Sequence, residues 1–247
     1  MINWSAIDPT STRGRIVRLP AKLLPKSTVM RIRRGPARGM KWISGSAVHG
    51  CWLGTYEFKK QQLLDRIVEP RMTVYDVGAQ AGFYTLLCSK LVGYGGQVIA
   101  FEPSISEARH LLEHVRINNL VNVTIVQAAV GASPSLSGFS SDRPMCQNCL
   151  TVEDEQLLVP VISLDSLTLP PPNVIKMDIE GGESNALKGA RALLVDHKPL
   201  LVLALHGPEQ VSFCRDFLRS LQYRIFDLAG SPIAAAQIPD EIYAVPL

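Results

Sequence analysis

From residue 72 onward the chain alternates apolar runs of strand length with amphipathic stretches of helix length, and few folds accept that rhythm. The strand-like runs are TVYDVGA (73–79), GQVIAFEP (96–103), VTIVQAAV (123–130), VPVISLDSL (159–167), VIKMDIE (174–180), PLLVLAL (199–205), YRIFDL (223–228) and IYAVPL (242–247). Helical patterns fall at 82–93, 106–120, 184–194 and 209–221. Strands joined through such helices predict βαβ units and a parallel sheet covered on both faces. Five core strands (73–79, 96–103, 123–130, 174–180 and 199–205) alternate in this way. The last two runs are joined by AGSPIAAAQIPDE (229–241), short and rich in turn residues, which suits a hairpin. The expectation is therefore an α/β doubly wound, Rossmann-like sheet of seven strands with strand 7 antiparallel, distinct from the six-parallel dinucleotide-binding sheet. The polar stretch 131–158 reads as an insertion.

Charge is unevenly spread. The net +3 divides into +9 over residues 1–41 and −6 over the remainder. A basic arm on an acidic body can meet nucleic acid or anionic lipid. The acidic body argues against nucleic acid as the favoured partner, and Pro20, Pro25 and Pro36 interrupt an amphipathic helix, leaving at most weak peripheral membrane contact. No apolar run approaches the roughly 18 residues of a membrane span. The start lacks the n-region and h-region of a secretory signal, so the expected location is cytoplasmic. Five cysteines, an odd number, argue against a disulfide framework, and the lone CQNC (146–149) reads as a loop feature.

VYDVGAQAGFYT (74–85) carries its glycines as G-x-x-x-G, Gly78 and Gly82, where the first strand meets the first helix. A pyrophosphate calls for G-x-G-x-x-G. A cofactor without phosphate, such as S-adenosylmethionine, suits the loop better. Gly78 would let backbone approach it, Asp76 would meet its ammonium, and Glu102 at the end of the second strand would accept its ribose hydroxyls.

IKMDIEGGE (175–183) places unusual charge on a central strand. Alternation puts Lys176, Asp178 and Glu180 on one side, with Asp178 and Glu180 near the ligand rim and Lys176 deeper, against an acid such as Asp76 or Asp178. Asp178, Glu180 and His206 are the acid–base candidates for deprotonating an alcohol. Glu183 is expected to cap the next helix. Asp178 and Glu180 holding a divalent metal is the less favoured alternative, because two carboxylates are a thin ligand set.

Together VYDVGAQAGFYT, IAFEPS, NNLVNVTIVQAAVG, VISLDSL and IKMDIEGGESNALKGA resemble the FkbM-type S-adenosylmethionine-dependent methyltransferases, from about Arg31 to Leu247. The D-x-E-G-x-E of Asp178, Glu180, Gly181 and Glu183 is the most specific element. The resemblance implies a class I methyltransferase fold and O-methylation of a small-molecule, sugar or glycan hydroxyl. It places Asp76, Gly78, Ala79, Gln80, Gly82 and Tyr84 on the cofactor loop. Glu102 would lie at the ribose, Ala128 and Ala129 beside the adenine, Asp178 at the rim, and Tyr56 with Glu57 in a covering segment. Residues 1–50 are expected to form a basic extension that covers the cofactor, and 51–247 the methyltransferase domain. Three positions depart from the family: Gln80 and His114 stand where Asn is usual, with little consequence expected, and Ala204 stands where Glu is frequent. The last keeps a non-catalytic cofactor-binding scaffold as the alternative function, with an RNA methyltransferase the less favoured third.

Overall fold

The structure is a computed structural model and describes residues 25–139, 150–151, 157–233 and 239–247. CQNC (146–149) and most of the basic arm lie outside the described residues. Strands β1 (Val29–Arg31) and β2 (Lys41–Ile43) form a hairpin, followed by α1 (Gly50–Leu53) and α2 (Phe58–Ile67). The main sheet then takes β3 (Thr73–Val77), β4 (Gln97–Phe101), β5 (Val123–Val126), β10 (Val174–Met177), β11 (Leu200–Ala204), β12 (Tyr223–Phe226) and β13 (Glu241–Pro246). Its order is β12–β13–β11–β10–β3–β4–β5, and β13 runs antiparallel to both neighbours. Chain order reverses between β3 and β10, so their carboxyl ends form the switch point at which open α/β sheets bind ligands.

Four elements depart from the linear reading. The run 123–130 is cut in two, because the Ala128 amide turns back onto the Val126 carbonyl at 3.0 Å. Beyond the turn β6 (Ala129–Val130) leaves the main sheet and pairs with β9 (Leu158–Ile162). With β7 (Ser135–Phe139) and β8 (Leu150–Thr151) these make a second, four-stranded sheet, so the 131–158 stretch is not a bare insertion. The helix expected over 184–194 is two, α5 (Glu183–Lys188) and α6 (Arg191–His197). Asp165 causes the break: its carboxylate accepts from the amides of Ala192 and Leu193, both at 2.9 Å, and so begins a new helix. Finally, β10 ends at Met177, before the carboxylates it was expected to carry. The two remaining helices of the parallel half, α3 (Phe83–Val92) and α4 (Ile105–Ile117), and α7 (Pro208–Ser220) before the hairpin, match expectation.

Residues 29–50 are part of the same core. Ile32, Trp42, Trp52, Leu63 and Leu64 pack with Val74, Leu87 and Val98, so no break between two cores falls at residue 50. His114 fastens the hairpin. Its ring stacks on Trp42 with centroids 3.9 Å apart, its Nδ1 lies 2.7 Å from the Ala81 carbonyl, and its Nε2 accepts from the Ile43 amide at 2.9 Å. His114 therefore matters more than its departure from Asn suggested.

Because Ile43 needs an acceptor, the fold requires neutral His114, and burial pushes its pKa down to about 4. The stability this ring supplies is whole above the ordinary histidine value and is lost as pH falls from there through about 4. Urea unfolding of the parent and of His114→Gln should therefore differ in pH dependence. The parent is expected to lose about 2–3 kcal/mol more than the variant between pH 7 and pH 4. Parallel curves would contradict this.

Candidate active site

Each loop at the switch point is built by short-range constraints. Gly78 has φ +76°, and a Cβ there would strike the Asp178 carbonyl, so β3 and β10 approach this closely only over glycine. Asp178 is held by its amide on the Val77 carbonyl at 3.0 Å. Glu180 follows with φ +57°, a conformation costly for a non-glycine residue and found where a site over-determines the backbone. The resulting turn aims Asp178, Glu180 and His206, the last just beyond β11, at one point.

His206 sits among carboxylates. Its Nδ1 lies 2.9 Å from Glu183 Oε1, and its Nε2 lies 3.3 Å from Glu180 Oε2 and 3.7 Å from Asp178 Oδ1. Glu183 is fully buried, so it does more than begin α5: it orients the imidazole. The hydrogen bond to Glu183, with the charges of Glu180 and Asp178, lifts the His206 pKa to about 9 against the opposing effect of burial. Burial raises the Glu180 carboxyl, with Asp178 and Glu183 adding to the effect.

Lys60 is the residue that sequence reasoning missed. Only 2% exposed, it comes from α2 and reaches Glu57 Oε2 at 2.7 Å, Glu241 Oε1 at 2.7 Å and Asp178 Oδ2 at 3.2 Å. Tyr84 donates its hydroxyl to the same Glu57 at 2.7 Å. Burial pushes the Asp178 carboxyl up, but the Lys176 and Lys60 ammoniums outweigh it and hold it below the usual carboxylate range. Glu241 also bears on Ala204. The two face each other across β11 and β13, so β13 supplies a carboxylate beside the position at which the resemblance led us to expect one.

The expected cofactor residues divide. Ala128 and Ala129 line a cavity of about 490 Å³ together with Phe101 and Ile179. Glu102 lines an adjoining hollow with Gly78, Gln80 and Asp178. Its carboxylate accepts from the amides of Gln80 at 2.7 Å and Ser104 at 2.8 Å, one on each oxygen, which leaves lone pairs on both. Tyr56, Ala79 and Tyr84 line a third hollow under the hairpin. Gln80 has φ +47°, a conformation Asn tolerates better than Gln, which gives the usual Asn a physical reason. Two residues are placed elsewhere than expected. Asp76 is fully buried beneath the loop, bound to Thr85 Oγ1 at 2.6 Å and Lys176 Nζ at 3.1 Å. Gly82 makes room for Leu111 of α4, whose methyl group a Cβ would strike.

Among the described residues, no Lys or Arg lines the 490 Å³ cavity or the Glu102 hollow. That donor set is ill suited to a pyrophosphate and suited to a cationic, phosphate-free ligand.

The family model described as the methyltransferase FkbM domain matches residues 76–225. The chain belongs to the FkbM methyltransferase family. Hexuronic acid methyltransferase AglP of Haloferax volcanii is 29% identical over 135 residues, 52% of this chain and 54% of that protein, so the match spans about half of the relative. The methyltransferase FkbM structure from Methylobacillus flagellatus KT superposes with a TM-score of 0.52 at 18% identity, over 93% of this chain and 59% of that one. A candidate methyltransferase from Streptococcus mutans, solved in complex with SAH, gives 0.50 at 12% identity over 77% of this chain and 97% of its own. These two structural likenesses bear on the fold, a class I methyltransferase sheet, and agree with the strand order of the FkbM chain. Among its described residues no helix is long and apolar enough to cross a membrane.

Proposed function

We propose that this FkbM methyltransferase uses S-adenosylmethionine to methylate a hydroxyl of a sugar, glycan or small molecule. The observation that carries the reading is the convergence of Asp178, Glu180 and His206 beside the glycine loop at the switch point. The sulfonium of bound S-adenosylmethionine supplies an activated methyl group. Glu102 would hold the ribose through its free lone pairs, with Phe101, Ala128, Ala129 and Ile179 walling the adenine. An alcohol oxygen becomes a competent nucleophile only as its proton leaves, and the carboxylates of the rim cluster, beside the loop, offer proton-accepting chemistry. Glu183 accepts a hydrogen bond from His206 Nδ1 and so fixes the direction of the ring, with Nε2 toward Glu180 and Asp178. The hexuronic acid methyltransferase relative supports a sugar as the acceptor class. Glu241, across from Ala204 and paired with Lys60, adds a carboxylate to the rim and supports a catalytic reading over the scaffold alternative. The described part of the basic arm, residues 25–41, belongs to the hairpin and its turns.

Calorimetric titration with S-adenosylhomocysteine, followed by assays of methyl transfer to uronic acid, neutral sugar and RNA acceptors, tests the reading. Methylation of a sugar hydroxyl is expected. Transfer to RNA alone, or no cofactor binding by the folded chain, would overturn it. Glu102→Ala should weaken binding of S-adenosylhomocysteine by about 10–100-fold, the value of two hydrogen bonds at about 0.5–1.5 kcal/mol each. An unchanged affinity would take Glu102 away from the ribose.

A further inference from the structure

Among the described residues the rim holds more negative charge than is neutralised. Asp178, Glu180, Glu183, Glu57 and Glu241 pair there with Lys60 and His206, and the Lys176 ammonium that also bears on Asp178 is itself paired with Asp76. We propose that Asp178, Glu180 and His206 bind one divalent cation of the Mn²⁺ or Mg²⁺ kind.

Three features of the geometry point there. First, one ligand atom from each residue lies within 4.8 Å of the others, and the 3.3 and 3.7 Å separations from Nε2 are near those of neighbouring ligands around one ion. Second, the far side of two ligands is already taken. Lys60 holds Asp178 Oδ2 and leaves Oδ1 toward the cluster, while Glu183 holds His206 Nδ1 and leaves Nε2. A buried carboxylate behind a histidine is the arrangement that fixes tautomer and ring direction at metal centres. Third, Glu180 Oε2, the oxygen that faces Nε2, is sealed from solvent and has no hydrogen-bond partner among the described residues. A cation satisfies it, and the strained backbone at Glu180 keeps it in position. One imidazole with two carboxylates is also a fuller ligand set than the two carboxylates legible in the strand.

Three protein ligands leave coordination positions for water and an acceptor oxygen. This consequence rests on the proposed methylation of a hydroxyl: an alcohol bound to the ion would lose its proton more readily. The binding itself does not rest on it.

Titrating Mn²⁺ into the metal-free full chain, followed by electron paramagnetic resonance and calorimetry, is the test. One site is expected, weakened at least tenfold in Glu180→Gln and in His206→Asn, and about 10–100-fold in Glu183→Gln, which touches no ion. Circular dichroism and S-adenosylhomocysteine affinity report whether each variant is folded. No Mn²⁺ binding by the parent, or binding indifferent to Glu180→Gln, overturns the site and leaves a proton on Nε2 as the partner of Glu180. Mn²⁺ binding without any binding of S-adenosylhomocysteine upholds the site and overturns the proposed function instead.

Discussion

A Lys60→Met variant is expected to unfold roughly 6–12 °C below the parent and to lose most of its turnover. Lys60 is 2% exposed and is the ammonium shared by Asp178, Glu57 and Glu241. Burial alone would lower its pKa, yet these three carboxylates outweigh burial and raise it, so the charge is held firmly. Methionine fills similar volume, so little of the loss comes from a cavity. The loss comes from three carboxylates left facing one another. Removing one partner of a buried pair costs about 3–5 kcal/mol. Glu57 and Glu241 keep 29% and 37% of their side chains exposed and can recover water, which favours the lower end. At about 2–4 °C per kcal/mol for a chain of this size, about 3 kcal/mol gives the stated shift. Scanning calorimetry checks it, and a midpoint within about 2 °C of the parent would mean that Lys60 is worth no more than a surface pair.

Lys60 also shows where the sequence stops being informative. Lys59 and Lys60 stand side by side on α2, and periodicity cannot say which is sealed in, because the deciding partner Asp178 lies 118 residues away. The sheet was legible for the opposite reason. Apolar alternation is local, and right-handed crossovers leave few ways to arrange five βα units and a hairpin. That Asp178, Glu180 and His206 meet was legible for the same cause, since the carboxyl ends of β10 and β11 are neighbours. Their company was not. An acid in the first turn of a helix is ordinarily a cap, and nothing in Glu183 alone shows that the Gly181–Gly182 turn buries it against His206. Asp76 misleads in the converse way. It sits beside Lys176 in the β3–β10 register, and that pairing buries it instead of presenting it to a ligand. The second sheet was hidden because a single backbone turn at Ala128 redirects a run that is strand-like throughout.

Asp178→Asn is expected to lower turnover by about 10²–10⁴-fold, while the unfolding midpoint moves by only a few degrees. The two side chains have the same shape, so packing is kept. Lys60 retains Glu57 and Glu241, so the cluster does not collapse as it does in Lys60→Met. What changes is polarity. The carboxylate offers Oδ2 to Lys60 and Oδ1 toward His206 Nε2, two acceptors on opposite sides. An amide has a single oxygen, and Lys60, which can only donate, will claim it. The NH₂ group is then turned toward His206, where a donor can neither accept a proton nor ligate a cation. S-adenosylhomocysteine affinity within about threefold of the parent would separate chemistry from binding, a difference below 1 kcal/mol. Single-turnover measurement on this variant decides the assignment. Full turnover would remove Asp178 from the chemistry and leave it as a counter-ion of Lys60.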